Sequence, residues 1–383
     1  ILIIISVITC VTILQAAGGL DLLVSYAEKL LRKKPNAITF IGPLVCYLFT
    51  LLCGTSYVAF SAYPVIAEVA TEAKVRPERA ISMSVNAANM ALVASPISAA
   101  VAGMVAKAAS LDISILDILS ITLPGTLLGC LTGCLFVYKR GAELDQDSEY
   151  LRRKSAGELE KITLSYQATG QKRSAFIGLA LFLLGTLSVI ILSSFAELRP
   201  HWNGEAMPIA TTLQIIMLAV ACLIMMVCRI PPEKLHSGST FKAGLIGVVG
   251  ILGLSWMTGT FFSTYSQQFT ESFSGVLVAY PALFGFVLFA LSILIYSPAA
   301  TIIALMPMGI TMGIPSPTLI ALMPAACAVF IIPGGSQIAC IAFDRTGTTR
   351  LGRYVIDHSF MLPGMVSLVM SVLFSLGIAT LFY

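Results

Sequence analysis

The sequence predicts an all-α polytopic membrane protein built as two inverted repeats, each with a re-entrant helical hairpin and a broken transmembrane helix. Three observations carry that prediction. Of 383 residues, 57% are hydrophobic and only 11% charged, against about 25% charged in soluble domains. Apolar runs long enough to span hydrocarbon recur along the chain. Four runs are interrupted by glycine, proline and hydroxyl residues: Cys53-Gly54-Thr55-Ser56, Ala94-Ser95-Pro96-Ile97-Ser98, Ser297-Pro298 and Pro333-Gly334-Gly335-Ser336. Irregular backbone survives in hydrocarbon only where protein or a water-filled cavity satisfies its polar groups. Each interruption is therefore a candidate binding element, with half-helix N-termini offering positive dipole ends. A β-barrel would show short alternating segments instead.

The chain begins at Ile1 inside an apolar run, with no Met and no basic leader, and is read as lacking its N-terminal segment rather than opening on a signal peptide. The first span, 1–17, ends at Gly18-Gly19. An amphipathic stretch from Asp21 to Lys34 follows, and its Lys29, Arg32, Lys33 and Lys34 place it on the cytoplasmic side. A hairpin over 38–70 has Gly54-Thr55-Ser56 at its tip. Basic flanks on both sides of it predict that it enters and leaves from the cytoplasm, and its arms read as short for a crossing. Residues 82–108 form a broken helix interrupted at Ser95-Pro96, and 115–138 return to Lys139-Arg140.

Residues 1–138 make the first repeat and 139–174, rich in Lys, Arg and Glu, a cytoplasmic linker. The second repeat, 175–383, opens with spans at 175–195, 208–228 and 243–263, joined by external loops at 196–207 and 264–274. A second hairpin (281–313) flanks Ser297-Pro298, and a broken helix (319–343) is interrupted at Pro333-Gly334-Gly335. A final span covers 356–382. Three landmarks support duplication: Leu123-Pro124-Gly125 with Leu362-Pro363-Gly364, Pro96 with Pro333, and Pro64 with Pro307. One hairpin opens inward and the other outward, so the repeats are expected to be inverted, a recurring plan of secondary transporters.

The candidate substrate-binding residues are Gly54, Thr55, Ser56, Asn86, Asn89, Ser95, Ser98, Ser297, Thr301, Gly334, Ser336 and Gln337. They offer hydroxyls, amides and exposed backbone with scarcely any fixed charge. An anion would be held by helix N-termini and neutral donors, and released because no buried cation clamps it. The alternative for each Ser or Thr is a bond back to its own helix or interhelical packing. Asn86 and Asn89 are three apart and share a helix face. Asp344, Arg345, Asp357 and His358 read most simply as a solvated interfacial loop, and Met306, Met308 and Met312 as packing. Trp256 and Tyr265 suit membrane interfaces. The nine cysteines lie in or beside apolar segments without CxxC spacing, which points to free, packed thiols.

No zinc-protease, nucleophile-elbow or phosphate-loop signature occurs, nor any His/Cys cluster, so no enzyme, cofactor or metal site is expected. The net charge of +4 lies in loops and reflects membrane topology rather than nucleic-acid binding.

Several stretches resemble the anaerobic C4-dicarboxylate transporter (Dcu) family. They are Leu14-Gln15-Ala16-Ala17-Gly18-Gly19-Leu20-Asp21, the Cys53-Gly54-Thr55 tip, Arg76-Pro77-Glu78-Arg79, Ala94-Ser95-Pro96-Ile97-Ser98, Phe343-Asp344-Arg345-Thr346-Gly347-Thr348-Thr349 and His358-Ser359-Phe360-Met361-Leu362-Pro363-Gly364. The resemblance implies a multi-pass carrier of the bacterial inner membrane for fumarate, succinate, malate and aspartate, often exchanging fumarate for succinate. It also implies an elevator motion, a homodimer, and for some members a partnership with a dicarboxylate-sensing histidine kinase. At the first tip this chain reads Gly-Thr-Ser-Tyr where familiar members have Gly-Thr-Gly-His, and the wider superfamily's Ser-Asn-Thr tips are absent, so no sodium site is implied. Within transport the alternative is another organic anion; outside it, a membrane sensor.

Overall fold

The structure is a computed structural model that describes residues 2–108, 113–157, 172–202, 205–237, 260, 264, 281–352, 354 and 357–382. The span expected at 243–263 (Thr260 apart), most of the loop 264–274, Trp256, Tyr265 and residues 158–171 of the linker lie outside the described residues. The described chain is helical apart from a two-residue antiparallel ribbon, His201–Trp202 with Glu205–Ala206. Among the described residues five helical stretches are long and apolar enough to cross a membrane: Pro35–Cys53, Ile115–Val137, Lys172–Leu192, Thr211–Cys228 and Met361–Phe382.

Two groups of helices can be distinguished by their packing. The first comprises α1 (Leu2–Ala16), α2 (Gly19–Lys33), α9 (Lys172–Ser194) and α10 (Ile209–Cys228), in which α1 and α9 pack on α10, and α2 on α9. Gly18 takes the left-handed conformation (φ +81°) that lets the chain turn between α1 and α2, whose axes bend by 71°. On α2 the residues Leu20, Val24, Ala27 and Leu31 recur at helical spacing and are buried, while Lys29 and Lys33 are exposed. Its Arg32 donates to Glu28 (2.8 Å) and to Glu68 and Glu72 (3.0 and 2.7 Å) of the neighbouring group.

The second group contains the four interruptions. In chain order it has α3 (Ile38–Cys53), a 3-10 turn (Ser56–Ser61), α4 (Tyr63–Glu72), α5 (Pro77–Met90) extended by a 3-10 turn to Val93, α6 (Ala99–Lys107) and α7 (Ile115–Val137). After the short polar helix α8 (Ser148–Ser155), α9, α10 and the five-residue α11 (Glu233–Ser237), a similar order returns. It consists of α12 (Pro281–Ile295), α13 (Pro298–Thr311), α14 (Ser316–Leu322) extended by a 3-10 turn to Cys327, α15 (Gly335–Phe343) and α16 (Met361–Phe382). Of the three proline landmarks only Pro96 and Pro333 occupy equivalent places, both in breaks. Pro124 lies inside α7 but Pro363 in the first turn of α16, and Pro64 in the first turn of α4 but Pro307 inside α13. Proline is at home in a first turn, where no amide is needed, and neighbouring helices let it persist inside a membrane helix. Its place along a helix is therefore a poor marker of equivalence. With the turn Pro35–Ala37, the first hairpin arm runs for 19 residues, so arm length gives no support to re-entrance.

Helices α7 and α16 pack antiparallel along a seam of small residues. Gly125 faces Ser375, Gly129 faces Ser371 and Gly133 faces Ser367. Small residues let membrane helices approach closely and gain dispersion contacts. The seam is tight: a Cβ at Gly129 would collide with Ser371 Oγ and lie 2.6 Å from its backbone nitrogen.

At one end the polar loops interlock. Arg76 donates to Glu78 and to Asp147 of the linker, both at 2.6 Å, and Arg79 donates to the Arg140 and Gly141 carbonyls and to Glu143. Asp147 also caps α8, accepting from the Glu149 and Tyr150 amides. Partial burial pushes the Asp147 carboxyl up, but the Tyr150 amide and Arg76 outweigh it and hold it below its ordinary value. Arg153 of α8 donates to the Arg345 carbonyl, and Glu78 accepts from the Ser359 hydroxyl at 2.6 Å. The basic loops at 74–79, 139–154 and 345–350 therefore share one side, as positive-inside asymmetry requires.

Gly129→Ala should destabilise the protein by about 1–3 kcal/mol, the usual cost of overpacking. The measurement is the apparent melting temperature in detergent; an unchanged value would mean that α7 and α16 do not meet at this seam.

Candidate functional site

In each half a hairpin tip packs against a break. At the first tip α3 ends with Gly54, whose amide donates to the Thr50 carbonyl and whose φ of +67° suits glycine. A side chain there would collide with Ile97, whose carbonyl oxygen would lie 3.0 Å from the added Cβ. Thr55 Oγ1 accepts from the Tyr57 amide at 3.4 Å and opens the turn that carries Ser56 and Tyr57. The Ser95 hydroxyl donates to the Leu51 carbonyl at 2.7 Å, tying the first break to the last turn of α3. Ser98 caps α6 by accepting from the Val101 amide at 3.1 Å. Ser95, Pro96, Ile97 and Ser98 are all buried.

The second tip follows the same local logic. Ser297 caps α13 by accepting from the Ala300 amide at 3.2 Å, and the buried Thr301 hydroxyl donates back to the Ser297 carbonyl at 2.9 Å. At the second break Gln337, fully buried, folds its side chain back over the start of α15. Its Oε1 accepts from the Gly334 amide (3.1 Å), the Ser336 hydroxyl (3.0 Å) and, at the edge of hydrogen-bond range, the Tyr296 hydroxyl (3.5 Å). Break and tip are in close contact, since a Cβ at Gly334 would overlap Tyr296 Oη.

Asn86 and Asn89, on one buried face of α5, connect the halves. Asn86 Nδ2 donates to the Phe360 carbonyl at 3.2 Å, and the Cys327 thiol donates to the Asn89 carbonyl at 3.5 Å. This is interhelical bonding, yet it is incomplete: Asn86 Oδ1, Asn89 Nδ2 and Gln337 Nε2 are buried with no hydrogen-bond partner. Buried polar groups are nearly always paired, so an unpartnered atom on each of three candidate residues is a notable feature of the cluster. The twelve candidates thus fall into two tip-and-break clusters with the asparagine pair on α5. Tyr57 and Tyr296 stand one at each tip. Neither is a candidate on sequence grounds, although each adjoins a hydroxyl at a tip.

The expectation of a solvated loop after α15 holds for Arg345, which is exposed, but is corrected for Asp344 and His358. Asp344 is buried; its carboxylate accepts from the Thr346 amide (3.0 Å) and hydroxyl, the Thr348 hydroxyl (2.8 Å) and the Thr349 amide (2.6 Å). The run Thr346-Gly347-Thr348-Thr349 wraps the acid with donors, which replace its water. His358 is buried too. Its Nδ1 accepts from the Phe360 amide, which leaves the proton on Nε2, facing the Ile331 carbonyl at 3.2 Å. Burial pulls the imidazole below its ordinary value, against the opposing effects of Ile331 and Asp357. Asp357 itself is exposed, as expected. All nine cysteines are free thiols.

A helical bundle with several membrane-crossing helices and neutral polar clusters where its interruptions meet defines a multi-pass membrane protein of transporter type. The chain matches, over residues 1–383, the family described as "Anaerobic c4-dicarboxylate membrane transporter". It is 33% identical to the anaerobic C4-dicarboxylate transporter DcuB of Escherichia coli O6:H1 over 383 residues, covering 97% of this chain and 86% of that protein. Its identity to the C4-dicarboxylate transporter DcuA of Wolinella succinogenes is 36% over 376 residues, again 97% and 86%. The Helicobacter pylori J99 DcuA is 35% identical over 394 residues, or 100% of this chain and 88% of that one. The chain belongs to the anaerobic C4-dicarboxylate transporter family. It is a multi-pass protein of the bacterial inner membrane and not an enzyme.

The His358 geometry sets the sign of one pH effect. Its neutral form is favoured in the fold, so below about 6.5, the ordinary histidine value, the unfolded chain takes up the proton first. Stability contributed by neutral His358 is then fully present above that value and falls as pH falls towards the lower folded value. His358→Gln keeps a donor and an acceptor and should flatten the slope of melting temperature between about pH 7.5 and 5.5; equal slopes would assign the effect to other groups.

Proposed function

We propose that this chain is a secondary carrier of C4-dicarboxylates that exchanges fumarate for succinate by alternating access of the elevator type. The observation that carries this reading is the meeting of a hairpin tip with a helix break in each half. Around those meetings stand hydroxyls, carboxamides and half-helix N-termini without a fixed cation among the twelve residues. A dianion held this way is bound by many modest, neutral donors and remains free to leave. The names of the relatives, C4-dicarboxylate transporters, agree with a dianionic substrate.

The inverted-repeat reading is supported by the order of elements, which recurs from α3 to α7 and from α12 to α16, and by the antiparallel pairing of the two closing helices. Re-entrance of both hairpins is the arrangement in which the basic loops fall on one side. The elevator motion is supported by the division of the helices into two groups: α1, α2, α9 and α10 form a frame beside the elements that hold the breaks. In this reading Gly54, Thr55, Ser56, Ser95 and Ser98 receive one carboxylate and Ser297, Thr301, Gly334, Ser336 and Gln337 the other, with Asn86 and Asn89 between them.

The test is uptake of labelled fumarate into liposomes containing the protein and unlabelled succinate. Uptake that requires internal succinate is expected; uptake indifferent to it would replace exchange by uniport or ion coupling. Its absence from correctly inserted protein would favour a sensory role or another anion. Thr55→Ala, Ser95→Ala and Ser297→Ala should each lower uptake by roughly threefold to tenfold at normal membrane levels, since each removes a cap or bond worth about 1 kcal/mol. Full activity in all three would remove these positions from the site.

A further inference from the structure

The start of α15 is occupied by its own chain in a way that copies a bound carboxylate. Three donors, from Gly334, Ser336 and Tyr296, converge on the single oxygen Oε1 of Gln337. An amide N–H can only donate, so the atom facing the Gly334 amide is the oxygen and not the nitrogen. Such convergence at a helix N-terminus is the environment of an anionic oxygen, favoured by the helix dipole. The other end of the same carboxamide is left over: Nε2 is buried, and no acceptor meets it. Gln337 thus fills the acceptor's place with a neutral group while holding an unused donor ready beside it.

Tyr296 closes this arrangement from the opposite side. It stands at the hairpin tip with φ +55°, unusual for an aromatic residue, and its ring packs over Gly334, where even a methyl group would collide with Oη. Tyr296 as a residue is 41% exposed, so it stands at the edge of the cluster and not in its interior.

We propose, resting on the carrier reading, that Gln337 is the resident stand-in for a substrate carboxylate and that Tyr296 is the lid over it. An arriving C4-dicarboxylate displaces Oε1, takes the hydrogen bonds of Gly334, Ser336 and Tyr296, and accepts a further one from Nε2. This gives Gln337 two roles in one cycle: it satisfies the break when the site is empty and grips the carboxylate when it is full.

The experiment compares succinate binding and thermal stability of the full chain, wild type against Q337E and Y296F. The carboxylate introduced by Q337E would keep the acceptor and add a negative charge at the helix start. This variant should therefore melt no lower than the wild type yet bind succinate at least about 30-fold more weakly, because a like charge now holds the place. Tyr296→Phe keeps the ring, loses one donor, and should weaken binding about threefold to fivefold. Q337E affinity within twofold of the wild type would overturn the stand-in, and unchanged binding by Y296F would remove the hydroxyl from the grip. Should Q337E fail to reach the membrane, Gln337→Asn, too short to meet the Gly334 amide, is expected to lower the melting temperature in the absence of succinate more than in its presence. An equal drop in both conditions would count against the proposal. Wild-type protein that binds no succinate would overturn the carrier reading itself, a result distinct from wild-type binding with an indifferent Q337E.

Discussion

A helix that breaks inside hydrocarbon leaves amides and carbonyls where no water can take them, and each unpaired group costs several kcal/mol. This fold meets that constraint by bringing interruptions together. The Ser95 hydroxyl serves the end of α3, the Ser98 and Ser297 hydroxyls cap α6 and α13, and the Gln337 carboxamide caps α15. The first tip and break are joined by the Ser95–Leu51 bond, and the second by the contact of Tyr296 with Gly334 and Gln337. The hydroxyls and the carboxamide that stabilise the interruptions are the same polar groups that the proposed carrier would offer its substrate.

The polar end of the molecule applies the same rule at the membrane surface. Arg76, Arg79 and Glu78 at the start of α5 hold the linker on one side and the loop after α15 on the other. The linker's first part is consequently a fitted component and not a tether. Asp344 is wrapped by Thr346, Thr348 and Thr349 at the start of the loop after α15, and at the far end of that loop the Phe360 carbonyl receives Asn86 from the first half.

Much of this is legible in the sequence, for physical reasons. Long apolar runs announce the membrane, and glycine, proline and hydroxyl residues inside them announce breaks, because few other residues tolerate or repair one. Which groups repair which break is not legible. Nothing in the spacing says that Ser95 reaches the Leu51 carbonyl or that Gln337 folds back on its own helix, since both depend on how the tips dock. Asp344 and His358 mislead because charge and polarity suggest a surface, whereas here neighbouring threonines and a backbone carbonyl supply what water would have given. The tyrosines at the tips escape a sequence reading for the opposite reason, as aromatic residues in an apolar sequence resemble packing.

The seam between α7 and α16 repeats every four residues on both helices, glycine on one and serine on the other. A pattern of this kind fixes how close two rods lie but is blind to their axial position, since a slide of one helical turn brings glycine opposite serine again. The alignment must be dictated elsewhere. Tyr47, bonded at 2.7 Å to Thr126, pins α7 to the first hairpin, and Phe330, pressed against Gly364, pins α16 to the second break. The register of the two closing helices is thus held by one contact from each half, Tyr47 of α3 on α7 and Phe330 of the second break on α16.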